Sequence, residues 1–287
     1  MCSSDLGTTR EHASAQSEGR ALLAALAAGH IEVHYQPVVA LADGVARGAE
    51  ALVRWRHPAQ GLLAPDGFLP AAELSGAIVE LGRWVLARAC TDAAGWPASA
   101  DGARRRVNVN ASGAELAAPG YLQAVADALH AAHLPPDALV LEITEGLIDL
   151  DAPEVAAALR GLSALGVRLA VDDFGTGYSS LTRLARLDAA VLKIDRSFVT
   201  PIPASADGTR LVTGILGLAA TLGLDIVAEG VETTEQASWL RRAGCPAAQG
   251  HLYSAALPAA EFTAWLRQRD GGVPDRGAAQ RRRAGRP

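Results

Sequence analysis

The feature that most constrains this chain is a repeated change of hydrophobic period. From Ile31 onward, short runs rich in β-branched residues alternate with longer amphipathic stretches: IEVHYQPVV, VARGAEALVRW, RVNVNAS, ALVLEIT, VRLAVDDF, AVLKID, DIVAEG and AAQG are the short runs. Between them, apolar residues recur with helical spacing over 77–94, 120–132, 153–165, 205–222, 234–243 and 259–268, and Gly166 and Gly223 stand where two of these stretches stop. Strand and helix alternating about eight times predict an α/β fold with a parallel sheet covered by helices, and that number favours closure into a (β/α)8 barrel over an open sheet. No GxGxxG follows the early strands, which argues against a dinucleotide-binding fold. The first two runs break the alternation. Only 41–45 separates them, and Asp43-Gly44 is hairpin chemistry, so the barrel should begin with an antiparallel strand.

A length of 287 residues suits one large barrel with short flanks. Residues 1–16 are polar and unpatterned and read as a disordered or linker segment; 17–29 is a lead-in helix, and the barrel unit is placed at 17–268. The remainder, 269–287, reads as a disordered Arg-rich tail: from Arg276 onward it holds five Arg and no acid. The residues before Arg276 carry 21 basic against 31 acidic side chains, a net charge of −10. Such a body does not suit polymeric nucleic acid, whose binding rests on neutralising many phosphates. A phosphorylated ligand would need cations.

Cys2, Cys90 and Cys245 form no CxxC pair, which supports neither a disulfide framework nor a zinc site and fits a reducing compartment. No signal-peptide h-region opens the chain. The longest uncharged apolar stretch, 211–224, is shorter than the roughly 20 residues of a membrane span, so a cytoplasmic location is expected.

In such a barrel the chemistry sits where strands feed into the following loops. Seven runs carry an unusual polar residue at or near that end: Glu50, Asn110, Glu142, Asp172 with Asp173, Lys193, Glu229 and Gln249. Any one acid has a bland explanation, because acids at strand ends cap helices. Glu50, Asn110, Glu142, Asp172, Asp173 and Glu229 together would place five carboxylates and an amide at one mouth, and like charges so close need compensation. A divalent cation supplies it. Oxygen donors without Cys or a His cluster favour Mg²⁺ or Mn²⁺ over zinc, and two adjacent aspartates can reach two ions, an arrangement suited to phosphodiester cleavage. Lys193 is the one lysine beside 25 arginines. It suggests a place for a compact ammonium rather than a planar fork, beside metal-bound water whose orientation or proton affinity it sets. His34, His57 and His251 share no ligand spacing and read as packed or exposed residues. The five tryptophans read as core or interface.

These residues stand in motifs that resemble the EAL family of bacterial cyclic di-GMP phosphodiesterases. Glu50-Ala51-Leu52 lies within AEALVRWRHP, and YQP, VNVNAS, LEITE, DDFGTGYSSL, LKIDRSFV, VAEGVET and AQGHLYS follow the family's order and spacing over 17–267. The resemblance implies a TIM-like barrel with an antiparallel first strand and hydrolysis of cyclic di-GMP to linear pGpG with two Mg²⁺ or Mn²⁺ ions. It implies that Glu50, Asn110, Glu142 and Asp172 hold the first ion, and Asp172, Asp173 and Glu229 the second. Lys193 and Glu229 resemble the pair contacting the attacking water, with Gln249 beside them. Gln36 and Arg54 resemble substrate contacts, Arg54 offering a bidentate grip on phosphate.

The family also implies a homodimer coupled to metal binding through Glu145 and the loop Phe174, Gly175, Thr176, Gly177, Tyr178, Ser179 and Ser180, and often a sensor or cyclase domain upstream. His251 and Ala255-Ala256 depart from the family pattern, which bears on substrate affinity. Asn108 is an extra asparagine, and Asn110 is taken as the ligand. A non-catalytic cyclic di-GMP receptor acting through a protein partner is the alternative.

Overall fold

The structure is a computed structural model that describes residues 4–99, 101–144, 152–175 and 187–271. Eight strands close into a barrel: β1 (Ile31–Ala40), β2 (Ala46–His57), β4 (Arg106–Asn110), β5 (Leu139–Thr144), β6 (Arg168–Phe174), β7 (Val191–Ile194), β8 (Asp225–Ala228) and β9 (Ala247–Gln249). All neighbours from β2 round to β9 are parallel, while β1 runs antiparallel to both β2 and β9 and closes the ring. The expected hairpin causes this reversal: Ala40 N–H donates to Val45 O at 2.9 Å, and Val45 N–H donates to the Asp43 carboxylate at 2.9 Å. Two short strands lie outside the ring, β3 (Gly61–Leu63) on β2 and β10 (Leu257–Pro258) on β1.

The helices surround this ring. They are α1 (Ser4–Ala27), α2 (Leu69–Ser75), α3 (Ile78–Ala94), α4 (Gly113–Ala117), α5 (Tyr121–Ala132), α6 (Pro153–Leu165), α7 (Arg196–Val199), α8 (Ala206–Leu222), α9 (Thr234–Arg242) and α10 (Ala259–Gly271). The long helices match the sequence periods to within a few residues. The short ones, α2, α4 and α7, were not legible because one or two turns show no period. α1 begins well before Ser17, where the apolar pattern starts, since its first turns are polar yet still form helix.

Strand parity divides the core in two. Outward residues such as Leu139, Leu141 and Ile143 of β5, or Leu192 and Ile194 of β7, join a large cluster under the helices. Inward residues Val38, Val140, Ala170, Val191 and Val227 form a separate cluster within the barrel. Two residues further along each strand, still pointing inward, come Glu142 after Val140, Asp172 after Ala170, Lys193 after Val191 and Glu229 after Val227. Thus one apolar layer fills the barrel and the next is polar. The tryptophans behave as expected of core residues: Trp96 packs edge-on to Tyr35 at 5.2 Å and to Phe262 at 5.0 Å, tying α10 to β1, and Trp55 packs on Phe68. Cys90 and Cys245 are buried free thiols, and burial pushes both up to about 12.

A capping box starts α4: the Ser112 hydroxyl accepts from Glu115 N–H, and the Glu115 carboxylate accepts from Ser112 N–H at 2.9 Å. Glu115 is buried against Gly82 of α3, where a Cβ would collide with its carboxylate. Burial raises its carboxyl to about 7, with the hydrogen bonds from Ser112 working the other way. Because this value lies above that of an unfolded glutamate, the folded state binds the extra proton, and stability is lost as pH rises through about 7. Glu115→Gln keeps the capping acceptor without the charge. Its thermal midpoint should therefore exceed the wild type's by a margin that grows from pH 5.5 to pH 8.5, reaching roughly 1–3 kcal/mol in stability. A margin independent of pH would count against the assignment.

Candidate active site

The ladder registers bring the inward polar residues to one level at the barrel mouth. Gln36 lies opposite Glu50, Asn110 beside Glu142, and Thr144 beside Asp172; Glu229 follows β8 with its N–H on Ile194 O at 3.0 Å. At their centre stands Lys193, 1% exposed. Its Nζ lies 2.6 Å from Glu229 Oε1, 2.7 Å from Glu142 Oε2, 3.2 Å from Asp172 Oδ1 and 3.6 Å from Glu50 Oε2. Four carboxylates share one ammonium.

A second tier holds these carboxylates in place. Gln249 Nε2 donates to Glu50 Oε2 at 2.6 Å and to Gln36 Oε1 at 3.0 Å, Asn110 Nδ2 donates to Glu50 Oε1 at 2.8 Å, and Gln36 Nε2 donates to Ser254 O at 3.2 Å. The sequence reading missed Asn108. Its Nδ2 donates to Glu142 Oε1 at 2.7 Å, and it is buried. The signal was present, since Asn108 and Asn110 share strand parity and must both face inward.

Asp173 required something that parity forbids. Adjacent strand residues point to opposite faces, yet ligand oxygens of Asp172, Asp173 and Glu229 all lie within 4.8 Å of one another. The β6–β7 register shifts between Val171 and Phe174, and Asp173 takes the left-handed conformation with φ 53°. This bulge turns the second carboxylate back toward the mouth. Left-handed backbone is uncommon for non-glycine residues but enriched for aspartate.

The electrostatics follow from one cation among five carboxylates. Burial lowers the Lys193 affinity for its proton, but Glu142, Glu229, Glu50 and Asp172 outweigh it and hold the ammonium well above its usual range. Without a bound ion, Lys193 is thus held as a cation by its carboxylate neighbours, and its advantage over arginine is size. Glu142 is also pushed well up, by burial and by its acidic neighbours against the pull of Lys193. Burial, with the Asp172 and Glu50 charges adding to it, raises Glu229 to about 7 despite Lys193. Asp173 is raised by burial and by Asp172 and Asp195. Glu50 alone moves down: burial opposes it, but Lys193, Gln249 and Asn110 prevail. A site where ammonium and carboxyls move upward together carries surplus negative charge.

That surplus, the oxygen-only donor set and the clustered Asp172, Asp173 and Glu229 fit a hard divalent cation such as Mg²⁺ or Mn²⁺. These three are the set the sequence assigned to a second ion. Buried Gln249 Oε1 makes no hydrogen bond among the described residues and remains an acceptor beside Glu50. Arg54, half-buried on the strand of Glu50, donates to its neighbour's carbonyl, Val53 O, at 2.9 Å, forms no ion pair among the described residues, and feels the charges of Glu50 and Asp66. A cavity of about 470 Å³ runs from Asn110, Glu142, Asp172 and Asp173 along Leu52 to α2 and α3. Phe174 is buried in the outer core, and Gly175 lies beside Phe198. Glu145, Thr176, Gly177, Tyr178, Ser179 and Ser180 lie outside the described residues.

Comparison with known proteins agrees with this geometry. The model of the EAL domain family matches residues 19–256. The chain is 45% identical over 243 residues to the cyclic di-GMP phosphodiesterase NbdA of Pseudomonas aeruginosa, covering 85% of this chain and 31% of that protein. It is 44% identical over 242 residues to the bifunctional diguanylate cyclase/cyclic di-GMP phosphodiesterase MucR of the same organism, covering 84% and 35%. The chain therefore spans about a third of the length of these curated relatives. A solved PaMucR phosphodiesterase in complex with c-di-GMP superposes with a TM-score of 0.79 at 42% identity, covering 86% of this chain and 99% of that one. The EAL enzyme Bd1971, in a form bound to cAMP and cyclic-di-GMP, gives 0.83 at 28% identity, covering 92% and 72%.

Removing the ammonium should expose the repulsion it holds in check. In the absence of divalent cations, Lys193→Met is expected to lose roughly 3–5 kcal/mol of stability, the range for stripping one partner from a buried ion cluster. Millimolar Mg²⁺ or Mn²⁺ should then raise its thermal midpoint more than the wild type's. Equal midpoints in EDTA would contradict the assignment.

Proposed function

The chain belongs to the EAL domain family, and we propose that it is a divalent-metal-dependent phosphodiesterase opening one phosphodiester bond of cyclic di-GMP to give linear pGpG. The observation that carries this reading is the buried ammonium inside a ring of carboxylates, with Asp172, Asp173 and Glu229 clustered at its rim. Relatives named for this activity support it.

Glu50, Asn110, Glu142 and Asp172 would hold one Mg²⁺ or Mn²⁺, and Asp172, Asp173 and Glu229 a second. Bound there, the ions would supply a water of lowered pKa and charge neutralisation at the phosphate. The protein's own groups do the rest. Lys193 keeps Glu229 and Glu142 oriented and offers a fixed positive charge to the reacting oxygens. Glu229, whose Oε1 lies 2.6 Å from Lys193 Nζ, stands with it beside the attacking water and orients it. The Gln249 carbonyl accepts a hydrogen bond from the attacking water, while its amide holds Glu50 and Gln36. Arg54, without an acidic partner among the described residues, grips a non-bridging phosphate oxygen pair.

Residues 17–268 form the catalytic unit, with the flanks outside it. In this reading it works as a homodimer in the cytoplasm, with Glu145 and the loop 174–180 coupling metal binding to dimerisation, and with a sensor or cyclase domain upstream if the chain is part of a longer protein. No helix among the described residues is long and apolar enough to cross a membrane.

Purified protein given cyclic di-GMP with Mg²⁺ or Mn²⁺ should release pGpG, detected by chromatography. Glu50→Ala should abolish turnover, and Lys193→Arg should lower it at least about 100-fold, since a guanidinium does not fit a site 1% exposed. Binding without pGpG under either metal would replace this reading by that of a non-catalytic receptor; near-normal Lys193→Arg turnover would remove the special role of the ammonium.

A further inference from the structure

Asn108 stands at the boundary between the two layers inside the barrel. Below it are valines and alanines: with Val38, Val140, Val191, Val227 and Ala247 it lines a cavity of about 210 Å³ at the opposite end of the barrel from the mouth. Above it are the carboxylates. A buried amide in an apolar layer is costly unless paired, and the partner here is specific: Asn108 Nδ2 donates to Glu142 Oε1 at 2.7 Å. Register makes the reach possible. Asn108 lies beside Val140, one inward step before Glu142, so the glutamate side chain bends down to meet the amide.

The Glu142 side chain has no solvent exposure. One oxygen is committed to Asn108 and the other to Lys193. The two commitments differ in kind. Lys193 is a cation with three other carboxylates in range, so a divalent ion entering the cluster can take over its role toward Glu142. Asn108 is a neutral donor fixed in a strand, and nothing about cation binding relieves its need for an acceptor.

We propose that Asn108 is a positioning residue that restricts Glu142 to offering a single oxygen, Oε2, to a divalent cation, and that it thereby biases the site toward small cations. Mg²⁺ and Mn²⁺ accept one oxygen per carboxylate in compact octahedral shells, whereas Ca²⁺ takes more ligands and readily uses both oxygens of one carboxylate. Freeing Oε1 therefore helps Ca²⁺ more than it helps Mn²⁺. The inference rests on the metal site proposed above and adds a determinant of its selectivity.

The test is cation binding to the full chain without substrate, with Mn²⁺ followed by electron paramagnetic resonance and Ca²⁺ by displacement of Mn²⁺. Asn108→Ala vacates the position, and Asn108→Leu fills it with a branched side chain lacking a donor. Thermal midpoints in EDTA record any general loss of packing. In both variants the affinity of Ca²⁺ relative to Mn²⁺ is expected to rise about tenfold over wild type, the scale of a lost hydrogen bond to a charged group. A purely structural role would lower stability, or weaken both cations in parallel, and leave the ratio within twofold; that result overturns the inference while leaving the metal site intact. If the wild type binds neither cation, the metal reading fails, and this inference with it.

Discussion

The buried contact between Lys193 and four carboxylates is the interaction on which the rest of this structure depends. Taken out of water, each of these charges carries a solvation cost of several kcal/mol, and only close pairing offsets it. One ammonium satisfies four carboxylates in part, at distances from 2.6 to 3.6 Å. The remaining excess appears as carboxyls whose affinity for protons is raised, and it makes the mouth attractive to cations. The same arrangement explains the choice of lysine in a chain that otherwise uses arginine: a point charge can stand at the centre of a ring whose members come from β2, β5, β6 and the end of β8, and a planar fork cannot.

The barrel's first strand contributes to that ring through its direction. Because β1 runs antiparallel between β2 and β9, Gln36 faces Glu50 across one ladder, and Val38 faces Gln249 across the other. The Gln249 amide therefore bridges Gln36 and Glu50, and against burial it joins the Lys193 charge in holding Glu50, alone in the ring, below its usual range. A short loop with turn chemistry at Asp43-Gly44 thus bears on the acidity of a carboxylate in the strand that follows it. Gln36, which the family resemblance makes a substrate contact, and Gln249, which it places beside the attacking water, are linked in this structure to each other and, through Gln249, to Glu50.

Much of this was legible beforehand because a barrel converts strand parity into position. Any polar residue two steps after an inward apolar one had to lie at the mouth, so Glu142, Asp172, Lys193 and Glu229 could be placed together before any coordinates. Asn108 shares the inward parity of Asn110 but lies one step beneath it, beside Val140 of the apolar layer, where the strand-end pattern does not reach. Asp173 broke the rule, and nothing local announces a β-bulge in LAVDDF. Its orientation comes from a register shift against β7 and a left-handed backbone, both properties of the assembled sheet.

What the sequence by itself determined was the alternation of periods, the hairpin that reverses β1, the closure number, and the identity of the polar residues at the strand ends. These follow from local chemistry: side-chain branching, turn propensity, and the two-residue repeat of a strand. Tertiary structure alone decided which oxygen of each carboxylate meets which donor, that Lys193 stands among four carboxylates, and that Asp173 turns inward. Those outcomes depend on distances between strands far apart in sequence and on the exclusion of water from the space they enclose, and in that dry space one hydrogen bond or one charge determines the behaviour of its neighbours.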